Sequence, residues 1–261
     1  MSKYAQDIVD LVDLHGRISV LELAQRLGVS DQTVRRIVKP LVEDGRVSKV
    51  HGALLSNRRG SLDPPFMARM TRNRAAKVAI AQTVADQIPD GSSVAIDTGS
   101  TSCFVAQALR VRRDLTVVTN SAYIAAVLAL IESNRVFMAG TQLRNHDSAA
   151  FDRAAFDAVD RFSAQTAILS ASLVHPQRGF LVYDQCEVDM ARAMKTCADR
   201  TILAVDATKF DEESAKPALR LPPLSKADLI VTDRQPNASF RPILGPATML
   251  LARDQDRTAV C

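Results

Sequence analysis

The 261-residue chain has no tryptophan, three tyrosines and four cysteines, and each scarcity removes a class of function. So few rings leave no stacking cluster of the kind that sequence-specific RNA binding needs. Cys103, Cys186, Cys197 and Cys261 form neither a C-x-x-C pair nor a framework, and read as reduced thiols of a cytoplasmic protein. His15, His51, His146 and His175 are scattered without ligand spacing, so no metal and no cofactor is expected. The longest run of low polarity, residues 121–131, is far short of the roughly 20 residues that cross a bilayer. No basic segment followed by an apolar core opens the chain, so neither a signal peptide nor a membrane partner is expected.

What remains is ordinary globular composition, 47% hydrophobic and 24% charged. The formal charge is only +4, but it is unevenly placed. Between Arg35 and Arg59 there are seven basic residues (Arg35, Arg36, Lys39, Arg46, Lys49, Arg58, Arg59) against two acidic ones, Glu43 and Asp44. A basic segment on a nearly neutral body suits a nucleic-acid-binding module joined to something else.

Three helices are predicted first. Tyr4, Ile8, Leu11 and Val12 recur at helical spacing before Gly16. Ser19 and Glu22 have the spacing of a reciprocal capping box, with Leu21, Ala24 and Leu27 as the apolar face and Gly28 as the closing residue. Ser30 opens a third helix whose Val34, Val38 and Leu41 are to be buried, with Gly45 past its end. Arg46 to Leu55 reads as a hairpin of two short strands, and Asn57 to Pro65 as polar linker.

Beyond it the pattern alternates. Helices are expected at 77–87, 103–109, 122–131 and 187–197, and strands at 93–96, 115–118, 136–139, 166–170, 201–205 and 229–231. Short strands separated by helices of about ten residues indicate a largely parallel sheet covered on both faces. The expected organisation is a winged helix-turn-helix at 1–57, a linker at 58–73 and a larger, mostly parallel α/β sensing domain at 74–261.

A recognition helix presents polar side chains from its first turns while a sparse apolar stripe holds it to its domain. Ser30, Asp31, Gln32, Thr33, Arg35 and Arg36 are therefore the candidates for DNA contact, with arginine suited to guanine and glutamine to adenine. Lys49 and His51 on the hairpin are candidates for phosphate or the minor groove. Pro40 lies inside the third helix, where it removes a backbone bond at a typical cost of about 3 kcal/mol, and should kink or end it beyond the reading turns.

This stretch, from Val29 to Arg36 and then Gly45 and Lys49-Val50-His51-Gly52-Ala53, resembles the DeoR family of bacterial sugar-metabolism regulators. Ile37 stands where that family usually has aspartate, and Ala53 where it has a second glycine.

In the second half, Asp97-Thr98-Gly99-Ser100-Thr101-Ser102 lies between a strand and a helix. Free backbone N–H groups and hydroxyls at a helix start attract phosphate. The plainer alternative is a polar turn whose Asp97 merely caps the helix. Thr119-Asn120-Ser121, Gly140-Thr141 and Asp206-Ala207-Thr208-Lys209 also follow strands, where open α/β sheets bind ligands.

These four segments resemble the DeoR sensor motifs in the family's order, with Thr141 in place of a second glycine. The resemblance implies a fold like ribose-5-phosphate isomerases and CoA-transferases, and places Asp97, Gly99, Ser100, Thr101, Asn120 and Lys209 at the effector. Glu187 and Arg192 match a helix that follows the pocket, near Tyr183.

The expected function is a DNA-binding regulator, a repressor of a carbohydrate-catabolism operon, released from double-stranded operator DNA by a phosphorylated sugar or sugar derivative. Reading enough bases requires a dimer or tetramer. The alternative is an isomerase-like enzyme with an accessory DNA-binding domain, using Asp97, Asp206 and Lys209. No G-x-S-x-G elbow and no catalytic glutamate at a strand end favour it, so no catalytic residue is assigned.

Overall fold

The computed structural model describes residues 4–44, 46–50, 52–56, 66–214 and 219–252. The chain divides into two compact units, residues 1–72 and 73–261.

In the first unit, α1 (Tyr4–His15), β1 (Arg17–Ser19), α2 (Val20–Leu27) and α3 (Asp31–Glu43) precede β2 (Val47–Val50) and β3 (Ala53–Ser56). The strands pair antiparallel in the order β1-β3-β2, adding a third strand to the expected hairpin. Ile8, Val12, Ile18, Leu23, Val34, Val38, Leu41 and Leu54 form the core, each such side chain contributing about 1.5–3 kcal/mol on burial.

Two expectations for α2 are corrected. Its inner face is Val20, Leu23 and Ala24, while Leu21 is 62% exposed. The Val20 N–H is held by the Gly52 carbonyl at 3.1 Å, which turns Val20 inward and rotates the helix by one position from the expected phase. The capping box is also one-sided: Ser19 Oγ accepts from the Glu22 N–H at 3.1 Å, but the Glu22 carboxylate turns to Arg26 at 3.0 Å. Ser19 is already paired with Ala53 in the sheet. Gly28, at φ +64°, closes α2 as expected, and Val29 N–H returns to the Ala24 carbonyl at 3.0 Å.

Pro40 neither ends α3 nor reaches its first turns; the helix runs through it to Glu43. Ile37 is 7% exposed and joins the core, which gives the apolar residue at this position its packing role. Gly45, His51 and residues 57–65 lie outside the described residues. Residues 66–71, inside the stretch read as linker, form α4 (Phe66–Thr71), which packs on α1 with Phe66 and Ala68 buried.

The second unit contains α5 (Arg74–Asp86), β4 (Ser93–Ile96), α6 (Ser100–Ala108), β5 (Thr116–Thr119), α7 (Ala122–Ala129) and β6 (Arg135–Met138). Then follow α8 (Arg153–Asp160), β7 (Ala164–Ser170), β8 (Leu173–His175), β9 (Gly179–Val182), α9 (Gln185–Thr196), β10 (Ala198–Ala204) and β11 (Leu219–Arg220). It ends with β12 (Leu229–Thr232), α10 (Arg241–Leu244) and β13 (Thr248–Leu251). The parallel sheet has the order β13-β12-β10-β7-β4-β5-β6, and β8, β9 and β11 form a small antiparallel sheet beside it.

Burial on both faces explains the apolar runs of the central strands: Val94, Ala95 and Ile96 are each inaccessible to solvent. From β4 the chain steps outward to β5 and β6, then returns to β7 on the other side of β4 and continues to β10 and β12. Right-handed crossovers in opposite directions put the helices on opposite faces. Accordingly α5, α6 and α7 pack in a row while α8 packs on α9. The order reverses between β4 and β7, and it is beside such a reversal, at the carboxyl ends of the strands, that open α/β sheets bind ligands.

Candidate functional site

On the first unit, Ser30 and Thr33 are occupied with building the start of α3. Ser30 Oγ accepts from the Thr33 N–H at 3.2 Å and lies 2.9 Å from Thr33 Oγ1. Asp31 pairs with Arg35 at 3.3 Å one turn later, both half-exposed. Gln32 and Arg36 are exposed on the same turns, and Lys49 is exposed on β2. Side chains that set the helix start thus alternate with long polar ones that reach outward. His51 lies outside the described residues.

On the second unit, Asp97 ends β4 and is not a cap for α6; Gly99 holds the cap position. The Asp97 carboxylate instead accepts from Ser102 Oγ and from the Ser170 N–H at 2.8 Å, tying β4, α6 and β7 together. Burial raises its carboxyl to about 7; Ser102 and Ser170 pull it down, and the nearby negative charge of Glu187 adds to the rise. Gly99 has φ +153°, and a Cβ there would displace the Ser170 hydroxyl as well as strain the backbone.

The first bond within α6 joins the Cys103 N–H to the Gly99 carbonyl at 2.9 Å. The N–H groups of Ser100, Thr101 and Ser102 therefore precede the helical ladder, with the positive end of the helix dipole behind them. Ser100, Thr101 and Ser102 are all buried.

Asn120, after β5, is 0% exposed and locked to one neighbour: its Nδ2 donates to the Ala150 carbonyl at 3.1 Å, and its backbone carbonyl accepts from the Ala150 N–H at 2.8 Å. After β6, Thr141 uses both its N–H (2.8 Å) and its hydroxyl (2.7 Å) to hold Asp152, whose carboxyl falls to about 2. The threonine thus fixes the start of α8 where a glycine would supply no hydroxyl. After β10, Asp206 is 1% exposed and caps the turn Ala207–Lys209, on which Lys209 is half-buried.

Buried polar atoms are almost always hydrogen-bonded, so exceptions carry information. Among the described residues six side-chain atoms are buried with no partner, the nitrogens Arg69 Nε and Arg112 Nε and four oxygens, Thr98 Oγ1, Asn120 Oδ1, Asp206 Oδ2 and Thr232 Oγ1. All four oxygens sit at carboxyl ends of parallel strands, β4, β5, β10 and β12.

Two residue sets escaped the sequence. Ser170 joins the site through pairing of β7 with β4. Arg144 lies over the Phe151 ring at 4.0 Å and contacts Asp147, Asp184 at 3.2 Å and Glu187 at 3.3 Å. Burial alone would lower the Arg144 guanidinium; Asp147 and Glu187 outweigh it and hold the group charged. Glu187 is thereby held near Asp97, whereas Arg192 is exposed and pairs with Asp189 at 3.2 Å on the outer side of α9. Tyr183, between β9 and α9 in the chain, is half-buried. Among the described residues no group of three His, Cys, Asp or Glu side chains could hold a metal ion, and no helix is long and apolar enough to cross a membrane.

Comparison with known proteins matches residues 5–59 to the DeoR-like helix-turn-helix domain and residues 72–234 to the DeoR C-terminal sensor domain. The glycerol-3-phosphate regulon repressor of Escherichia coli (strain K12) is 33% identical over 91% of this chain and 92% of its own. The transcriptional repressor CsqR of the same organism is 31% identical, over 88% and 87% respectively. The transcriptional repressor AccR of Agrobacterium fabrum is 30% identical over 87% of each chain. Among solved structures, ribose 5-phosphate isomerase A from Neisseria gonorrhoeae is similar at TM-score 0.40 and 16% identity, over 55% of this chain and 56% of that one. A DeoR-like helix-turn-helix followed by a DeoR sensor domain, with relatives aligned over nearly their whole length, makes this chain a member of the DeoR family of transcriptional regulators.

Proposed function

We propose that this protein is a transcriptional repressor that binds operator DNA through α3 and β2–β3, and leaves it when a phosphorylated sugar or sugar derivative binds the second unit. The observation that carries the sensing half is the set of unpartnered buried oxygens, Thr98 Oγ1, Asn120 Oδ1 and Asp206 Oδ2, which follow the parallel strands β4, β5 and β10. A phosphorylated polyol matches that chemistry. Its phosphate takes the N–H groups of Ser100, Thr101 and Ser102 together with Lys209, and its hydroxyls donate to Asn120 and Asp206. Relatives named as repressors, one of a glycerol-3-phosphate regulon, support the same direction of control.

On the DNA side, Arg36 and Gln32 read base edges, while Lys49 and His51 hold phosphates. Asp31 acts by fixing Arg35, and Ser30 and Thr33 by fixing the helix start. Two copies set their heads at neighbouring half-sites, and the effector changes that spacing because it binds the two arrangements unequally. The protein works in the cytoplasm, on the nucleoid.

A second reading, an isomerase-like enzyme, draws on Asp97: a carboxyl at about 7 suits a general base. Both its oxygens already accept from Ser102 and Ser170, so we assign it a positioning role. Thermal-shift titration with triose, pentose and hexose phosphates beside the unphosphorylated sugars tests the proposal. A ligand at 100 times its Kd adds roughly 2.7 kcal/mol of stability, and Lys209→Ala should abolish that gain. No phosphate-dependent shift, or rapid turnover of a sugar phosphate, would contradict it.

A further inference from the structure

We infer that Asn73 is the coupling residue between effector and DNA: its amide ties the Asp206–Lys209 turn to the point where the second unit begins. The inference rests on the effector site proposed above.

Asn73 occupies the N-cap position of α5, where asparagine ordinarily accepts a bond from its own helix. Here it makes no such bond, and its backbone is left-handed at φ +51°. The side chain turns away instead. Nδ2 donates to Asp206 Oδ1 at 3.1 Å and to Thr208 Oγ1 at 2.7 Å, partners 133 and 135 residues further along the chain. Asparagine tolerates the left-handed region better than other residues with a Cβ, and the link to β10 holds it there.

The far end of the link is in the candidate pocket. Asp206 Oδ1 accepts from Asn73, from the Thr208 N–H at 3.2 Å and from Thr208 Oγ1, while Oδ2 is buried without a partner. A hydroxyl donating to Oδ2 pulls the carboxylate toward the effector and away from the Asn73 amide. The next residue grips the pocket's other wall: the Arg74 guanidinium lies 5.8 Å from the Phe104 ring on α6. Two consecutive residues thus hold β10's turn and the phosphate-facing helix.

The near end is covalent. Arg72 closes the first unit and Asn73 opens the second, directly after α4. Asn73 is itself exposed, so the latch is weak enough for an effector to open. Movement of the β10 turn therefore acts first on the peptide that leads to the DNA-binding head.

Asn73→Gly tests this cleanly, because glycine keeps the left-handed backbone without strain and removes only the amide. Asn73→Ala is a second variant that also removes the amide and leaves the Asp206–Lys209 turn intact. Three quantities are measured in the full-length protein: affinity for the promoter DNA of its own gene, affinity for glycerol 3-phosphate and a panel of pentose and hexose phosphates, and the change in DNA affinity when the sugar phosphate saturates. Both separate affinities should stay within about twofold of wild type. The sugar-phosphate effect on DNA, roughly 5- to 150-fold for an allosteric pair, should fall below about twofold. Normal release in both variants overturns the inference, as does loss of either separate affinity. A wild type that binds no sugar phosphate overturns the proposed function itself, and the coupling with it.

Discussion

The carboxylate of Asp97 accepts the Ser170 backbone N–H at 2.8 Å, joining the ends of two strands, β4 and β7, between which the chain order of the sheet reverses. Gly99 lies directly against Ser170, so the close approach of this loop to β7 depends on a residue without a side chain.

Gly99→Ala should therefore destroy sensing selectively. The added Cβ meets Ser170 Oγ, and the backbone at φ +153° becomes strained, at a cost of about 1–3 kcal/mol. The variant should melt lower, show no stabilisation by sugar phosphates, and bind DNA as wild type does. Intact sugar-phosphate stabilisation in that variant would show that the loop does not hold the ligand.

Asp97 makes a pH prediction. Its folded value of about 7 lies above the ordinary 3.8, so the folded protein keeps a proton that the unfolded chain releases. Stability from this group is fully present below pH 3.8, declines as pH rises, and is gone above about 7. Ionised Asp97 also repels a bound phosphate, so binding weakens over the same rise. Asp97→Asn should flatten both profiles, measured by melting and by titration calorimetry across that range. Unchanged slopes in the variant would assign the pH dependence elsewhere.

Arg35 and Arg36 are adjacent but unequal. Arg35 is paired with Asp31, and Arg36 extends from the same turns with its side chain exposed. Arg36→Ala should weaken operator binding by about 1–3 kcal/mol, concentrated at one base position. Arg35→Ala should weaken it less and without changing base preference. Binding to a set of single-base operator variants distinguishes the two. Equal, sequence-independent losses would make both arginines phosphate contacts.

Pro40→Ala should stabilise the first unit. Proline lacks the N–H that would bond the Arg36 carbonyl, yet α3 continues to Glu43. Restoring that donor should add about 1–3 kcal/mol, read as a higher melting temperature with unchanged DNA affinity. A lower melting temperature would mean that the helix is built around the proline.

Much of this was legible in the sequence because the signals were local. Ser30 and Gly28 announce the turn between α2 and α3, and apolar runs such as Val94 to Ile96 mark the central strands. The phase of α2 is not a local property: it is set by Gly52, thirty-odd positions away, through the Val20 N–H. Strand β1 is three residues long and exists through its pairing with Leu54 and its neighbours, which no local pattern reveals.

The proposed effector site was legible strand by strand but not in its connections. Asp97, Asn120 and Lys209 stand out as polar residues after apolar runs. Ser170 does not, because its role comes from β7 lying beside β4 rather than from its own neighbours. Arg144 and Glu187 meet across 43 residues, and Asn73 and Asp206 across 133. Such pairs are products of topology.

The central claim is that one sugar phosphate bound at the strand ends releases the head from DNA. Fluorescence anisotropy of a labelled operator fragment, titrated with sugar phosphates at fixed protein concentration, tests it directly. A saturable fall in anisotropy is expected for at least one sugar phosphate and none for its unphosphorylated form, with the response lost in Lys209→Ala. A wild type that binds that sugar phosphate at the strand ends and stays on its operator would contradict it.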